Sequence, residues 1–151
     1  MLGVGARAPE FTLPDQDERE VSLTTLLNRG PLILYFYPAD FTTICTKEAC
    51  AFRDLHDEIQ KTGLTIAGVS PQTPESHRRF RERYKLPFTL LSDVDKAVVK
   101  MYDVNGPLGI GVRRGTYLID PARNIRGAVL ADFRVAAHED FIGKALAVRA
   151  K

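Results

Sequence analysis

Both cysteines of the chain lie in one run, Pro38-Ala39-Asp40-Phe41-Thr42-Thr43-Ile44-Cys45-Thr46-Lys47-Glu48-Ala49-Cys50. The run follows the apolar stretch Leu32–Tyr37 and opens a helical pattern, so Cys45 falls in the first turn of a helix that begins just after a strand. Unpaired backbone N–H groups at such a terminus favour the anionic thiolate, the nucleophilic form of cysteine. Thr42 occupies the N-cap position, which aims its hydroxyl at the N–H of residue 45, beside the thiol. Burial on the apolar face opposes a charge, so a thiolate here requires a cationic partner. Lys47 is the local candidate. Arg114, beside Arg113 in a loop, is on its own ordinarily a solvated charge.

Cys50 stands five residues after Cys45. On an ideal helix that spacing gives a rise of about 7.5 Å, a rotation of about 140° and a Cα separation of roughly 8–9 Å. A disulfide spans no more than about 7 Å between Cα atoms. The two thiols therefore cannot bond while the helix is intact, and pairing demands that its first turns unwind. Taken alone, two free cysteines are equally well read as small buried hydrophobes. A Cys-x4-Cys pair is not a zinc spacing, and His56, His77 and His138 are scattered, so no metal site is expected.

The elements that must position these residues follow from the pattern. Pro9–Leu23 reads as an extended hairpin turning at Asp15–Glu18, and Thr24–Asn28 as a helical turn closed by Gly30. Leu32–Tyr37 is a central strand, apolar enough for burial on both faces. A single helix is expected over Thr43–Thr62, with Cys45, Ala49, Phe52, His56 and Ile59 on one stripe. Leu64–Val69 is a second strand. Thr73 caps a helix with Pro74 at its first position and His77, Phe80 and Tyr84 inward. Phe88–Leu91 is a strand, and Ser92 opens a helix over Asp95–Tyr102 with Val94, Val98 and Met101 inward. Thr116–Asp120 and Ile125–Ala131 form a hairpin about Pro121–Asn124. Glu139–Arg149 closes the chain as a helix. Strands alternating with helices, then a late hairpin, give an α/β fold with a mixed central sheet flanked by helices on both faces.

At 151 residues, 44% hydrophobic and 26% charged, the chain suits one domain over residues 1–151. A net charge of +2 gives no case for nucleic acid or an anionic membrane surface as a partner. The first residues lack a signal-peptide core and no apolar run is long enough to span a bilayer, so a cytoplasmic location is expected. In that compartment two cysteines are catalytic, redox-sensing or inert rather than a structural staple.

Pro38, Thr42 and Cys45 stand in the Pro-x-x-x-Thr-x-x-Cys pattern of peroxiredoxins. The stretch YFYPADFTTICTKEAC resembles the PrxQ, or bacterioferritin comigratory protein, subfamily. Ala8-Pro9-Glu10-Phe11, Leu90-Leu91-Ser92-Asp93 and Arg114-Gly115-Thr116-Tyr117-Leu118-Ile119-Asp120 match it in order. The resemblance implies a thioredoxin-like fold and a thiol peroxidase without cofactor, acting on hydrogen peroxide and organic hydroperoxides. By it, Cys45 is the peroxidatic cysteine and Cys50 the resolving one, with thioredoxin or a similar dithiol as reductant. Thr42 contacts the peroxide, Pro38 shields the site and Arg114 supplies the positive charge. The implied protein is a monomer or weak homodimer. This chain departs from the subfamily at Thr43-Ile44, where Pro-Gly is usual, which points to slower unwinding and longer exposure of Cys45 to over-oxidation.

Two alternatives share the scaffold: a peroxide sensor, and a thiol–disulfide relay, which would want a Cys-x-x-Cys motif. Gly106-x-x-Gly109-x-Gly111 follows a helix and lacks phosphate-loop spacing. Arg78, Arg79, Arg81, Arg83 and Lys85, interspersed with Glu75 and Glu82, read as a solvated helix face. His56 reads as a hydrogen-bonded core histidine.

Overall fold

A computed structural model describes residues 1–150. A two-stranded antiparallel hairpin, β1 (Thr12–Pro14) and β2 (Glu20–Ser22), leads into the short helix α1 (Leu23–Leu27). The central sheet holds β3 (Leu32–Phe36), β4 (Thr65–Ser70), β5 (Thr89–Ser92), β6 (Gly115–Ile119) and β7 (Ile125–Leu130), in the order β5-β4-β3-β6-β7. The pairs β3/β4 and β4/β5 are parallel, whereas β3/β6 and β6/β7 are antiparallel. The helices are α2 (Thr43–Asp54), α3 (His56–Lys61), α4 (Pro74–Tyr84), α5 (Ala97–Met101) and α6 (Val135–Ala150).

Strand β3 is buried at every residue because it is the middle strand and both faces are covered. Its alternate side chains enter two core layers. Leu32, Leu34 and Phe36 pack with the hairpin, α1 and α5; Ile33 and Tyr35 pack with Cys45, Ala49 and Phe52 of α2 and with α3, α4 and α6. The cysteine run thus leaves the centre of the sheet and returns along the second layer.

Four expectations are corrected. The 43–62 helix is two helices, broken at Leu55 (φ −90°, ψ −3°). Cys45, Ala49, Phe52 and Ile59 of the expected stripe are buried, while His56, just past the break, is half-exposed and not a core histidine. Ser92 does not open the next helix. The Asp93 carboxylate accepts the N–H groups of Val98 and Val99 instead, so α5 starts later and Val98 and Val99 point inward. Val94 and Met101 are left outside, 60% and 42% exposed. Finally, α6 begins a turn early, at Val135, which carries His138 into the protein.

Candidate active site

The register of the sheet brings together residues far apart in sequence. Phe36, the last residue of β3, pairs with Gly115, the first of β6. The residue before Gly115 is Arg114, which therefore sits at the sheet end where β3 hands over to the cysteine run. Cys45 is the third residue of α2 and lies inward, 1% exposed. Arg114 Nη2 donates to Cys45 Sγ at 3.1 Å, and Arg114 Nη1 donates to Glu48 Oε1 at 2.8 Å. Glu48, one turn after Cys45 on the same helix face, is fully buried. The backbone N–H and Nε of Arg114 donate to Asp132, just past β7, to Oδ1 and O respectively. Asp132 Oδ2 accepts Arg113, which turns outward with its side chain 43% exposed, against 4% for Arg114. Lys47 is exposed and makes no such contact. Of the candidate cations, the inward one is Arg114.

Burial works against the Arg114 charge, but Glu48 and Cys45 outweigh it and hold the guanidinium firmly protonated. Burial also pushes Glu48 up to about 7, against the downward pull of Arg114. Behind Glu48 stands His138, also fully buried. Its Nε2 donates to Ala131 O at 2.9 Å, which leaves Nδ1 to accept the Thr116 hydroxyl at 2.7 Å. Nδ1 lies 3.7 Å from Glu48 Oε2, an oxygen with no hydrogen-bond partner. Burial, and then Arg114, keep this imidazole below its ordinary range and hence neutral. Glu48 was legible in principle, since it falls three residues after Cys45 on a helix. His138 carried no signal, because its place depends on the early start of α6.

Thr42 is the N-cap by backbone (φ −73°, ψ 153°), but its hydroxyl does not accept from the helix. It donates to Ala39 O at 3.0 Å, which corrects the expectation that it points at the N–H of residue 45. The cause is local: Phe41 is left-handed (φ 66°), and the tight loop brings the Ala39 carbonyl under Thr42. Pro38 and Ile44, with Ile110, Phe133, Arg113 and Arg114, line an open cleft of about 750 Å³. A larger groove of about 870 Å³ between α3 and α6 holds none of these residues. Cys45 and Cys50 are both free thiols within the intact α2. Among the described residues no helix is long and apolar enough to cross a membrane.

Arranged this way, a thiol at a helix N-terminus, in hydrogen-bond contact with a buried guanidinium, is set up for nucleophilic chemistry on a small polar group entering the cleft. Residues 4–128 match the AhpC/TSA family. The chain is 49% identical over 117 residues to peroxiredoxin Q, chloroplastic, of Oryza sativa subsp. japonica, covering 77% of this chain and 54% of that protein. It thus spans about half the length of the first curated relatives it matches. The crystal structure of the peroxidoxin BcpB of Mycobacterium tuberculosis superposes with a TM-score of 0.90 at 36% identity, covering 99% of this chain and 97% of that one. The bacterioferritin comigratory protein of Xanthomonas campestris, whose structures concern its alkyl peroxide reduction activity, superposes with a TM-score of 0.84 at 31% identity. That match covers 93% of this chain and 92% of that one.

Proposed function

The chain belongs to the AhpC/TSA family, on its peroxiredoxin Q/bacterioferritin comigratory protein branch, and on that premise we propose that it is a thiol peroxidase in which Cys45 attacks the substrate. The observation that carries this reading is the 3.1 Å contact between Arg114 Nη2 and Cys45 Sγ, inside the first turn of α2. A guanidinium there stabilises the thiolate and can polarise the O–O bond of a bound peroxide. In the first step a sulfur–oxygen bond forms and the O–O bond breaks. Cys45 becomes a sulfenic acid, and the remaining oxygen takes a proton and leaves as water or an alcohol. In the second step the Cys50 sulfur displaces that hydroxyl, giving a Cys45–Cys50 disulfide and one water. A dithiol reductant such as thioredoxin then regenerates both thiols and is itself oxidised to a disulfide.

The other residues take supporting parts. Thr42 re-aims its hydroxyl from Ala39 O to the peroxide, and Pro38 keeps bulk water from the sulfur. Hydrogen peroxide and organic hydroperoxides both fit an open cleft with apolar sides at Ile44, Ile110 and Phe133. Because both thiols belong to one chain, the cycle needs no second copy, and a monomeric or weakly associating protein in a reducing compartment such as the cytoplasm suits it. The test is a steady-state peroxidase assay with thioredoxin as reductant. Cys45→Ser should abolish turnover, and Cys50→Ser should retain one oxidation event and lose sustained activity. Undiminished turnover in Cys45→Ser ends this assignment. A stable oxidised complex with another protein, together with negligible turnover, would instead favour a peroxide sensor.

A further inference from the structure

Three buried side chains with polar atoms, Tyr37, Asp40 and His77, take no part in the chemistry above. Asp40 lies in the loop between β3 and α2, two residues after Pro38 and two before Thr42. Its side chain and that of His77, on α4, are both fully buried. Asp40 Oδ1 accepts the Tyr37 hydroxyl at 2.7 Å. Asp40 Oδ2 accepts the Ser76 hydroxyl at 2.7 Å and lies 2.7 Å from His77 Nδ1. On its other side, His77 Nε2 is 3.0 Å from Leu91 O. A carbonyl only accepts, so Nε2 carries a hydrogen. One further proton lies in the Nδ1···Oδ2 bond, whichever atom bears it. Burial raises the Tyr37 phenol and keeps it protonated, hence a donor. Every polar atom of the Asp40 and His77 side chains is thereby paired, and a buried pair of this kind is costly to open.

The same loop is held at a second point. Phe41, whose positive φ a bulky residue keeps only where its surroundings dictate it, packs edge-on against Phe80 of α4 at 5.2 Å. The loop that carries Pro38 and Thr42 is thus fastened to α4 by a buried polar pair and by an aromatic contact. Nothing in the fold of α2 itself requires either contact.

We propose that Asp40 and His77 are positioning residues for the peroxide step, a buried catch that clamps the Pro38–Thr42 loop to α4 and so holds Pro38 and Thr42 in place around Cys45. The inference rests on the peroxidase reading given above. The catch acts on the loop before α2 and leaves Cys50 untouched. It therefore bears on attack by Cys45 and not on formation of the disulfide, which needs α2 to unwind beyond the clamp. Ser76 is a third and weaker strand of it.

The experiment is rapid-quench mass spectrometry of the full chain with hydrogen peroxide, scoring sulfenic acid on Cys45 and disulfide separately. Wild type, Asp40→Asn, His77→Gln, Ser76→Ala and Val99→Ala are compared. Val99→Ala, in the opposite core layer, is a control for lost stability alone. Asp40→Asn and His77→Gln should slow sulfenic acid formation by about tenfold or more, as misplacement of catalytic groups does. Ser76→Ala, whose smaller change preserves the fold, should slow it by about threefold, the worth of one hydrogen bond. The step from sulfenic acid to disulfide should stay within about twofold in each, with Val99→Ala unaltered in both steps. Unchanged sulfenic acid formation in folded Ser76→Ala and Asp40→Asn overturns the catch while leaving the peroxidase reading intact. So does an equal slowing of both steps. Failure of wild type to form sulfenic acid at Cys45 overturns both.

Discussion

At the scale of single residues, the site is governed by one guanidinium that donates to two groups. Arg114 bonds both Cys45 Sγ and Glu48 Oε1, so the charge on Glu48 sets how much of the guanidinium's field reaches the sulfur. Glu48 is pushed up to about 7 by burial, from an ordinary value near 4.5. Its folded pKa is therefore above its unfolded one, and the folded state holds more protons between those two values. Stability from this group is present at low pH and is lost as pH rises through about 7, by an amount on the order of a few kcal/mol. Chemical denaturation from pH 5 to pH 8 should show that decline in wild type and a flatter profile in Glu48→Gln; an identical slope in both would contradict it. Arg114→Ala removes the sulfur's charge partner, strands Glu48 as an unpaired buried acid, and should slow Cys45 oxidation by at least about a hundredfold. Competition kinetics against a second peroxidase would measure this, and a rate within fivefold of wild type would refute it. The place of Cys45 in the first turn was legible from residue type and spacing; Arg114 stood out only through the family resemblance, and the structure adds that it, not Arg113, turns inward. The placing of His138 and Thr116 behind Glu48 was not legible, because contacts across three elements leave no periodic trace in the sequence.

At the scale of elements, α2 has two demands placed on it. Its intact first turn sets Cys45 against Arg114, yet in the proposed cycle the same turns must open for Cys45 to reach Cys50. Thr43 and Ile44 are its first two residues, with Thr43 exposed and Ile44 half-buried against the cleft. A glycine at 44 would lower helix stability there by roughly half a kcal/mol and free the backbone. Ile44→Gly should therefore speed disulfide formation about two- to fivefold and reduce sulfinic acid at excess peroxide, read by mass spectrometry. More sulfinic acid in the variant than in wild type would count against the unwinding account. Strand and helix identities were readable because period and length separate them. The break at Leu55 was not, since no glycine or proline marks it. The late start of α5 was missed because the Asp93 carboxylate, not Ser92, accepts the first helical N–H groups, which leaves Val98 inward as expected but brings in Val99 and turns Val94 and Met101 out.

At the scale of the whole molecule, the site exists because a mixed sheet places antiparallel β6 beside β3, so that Arg114 arrives at the end of the strand from which the cysteine run departs. The late hairpin was legible, but its pairing against β3 was not, since strand order is a long-range choice. The packing that holds this junction is tight at Gly68 of β4, where an added Cβ would lie 2.8 Å from the Tyr35 ring. Gly68→Ala should destabilise the protein by about 1–3 kcal/mol through overpacking, checked by thermal melting, and an unchanged melting temperature would show that the ring can yield. The central claim, that Cys45 and Cys50 form one redox couple within a single chain, is tested most directly by intact-mass measurement after one equivalent of hydrogen peroxide, followed by peptide mapping. The expected result is a monomer lighter by two hydrogens, carrying a Cys45–Cys50 bond that dithiol treatment reverses. A reduced, unmodified chain, or oxidation confined to Cys50, would contradict it.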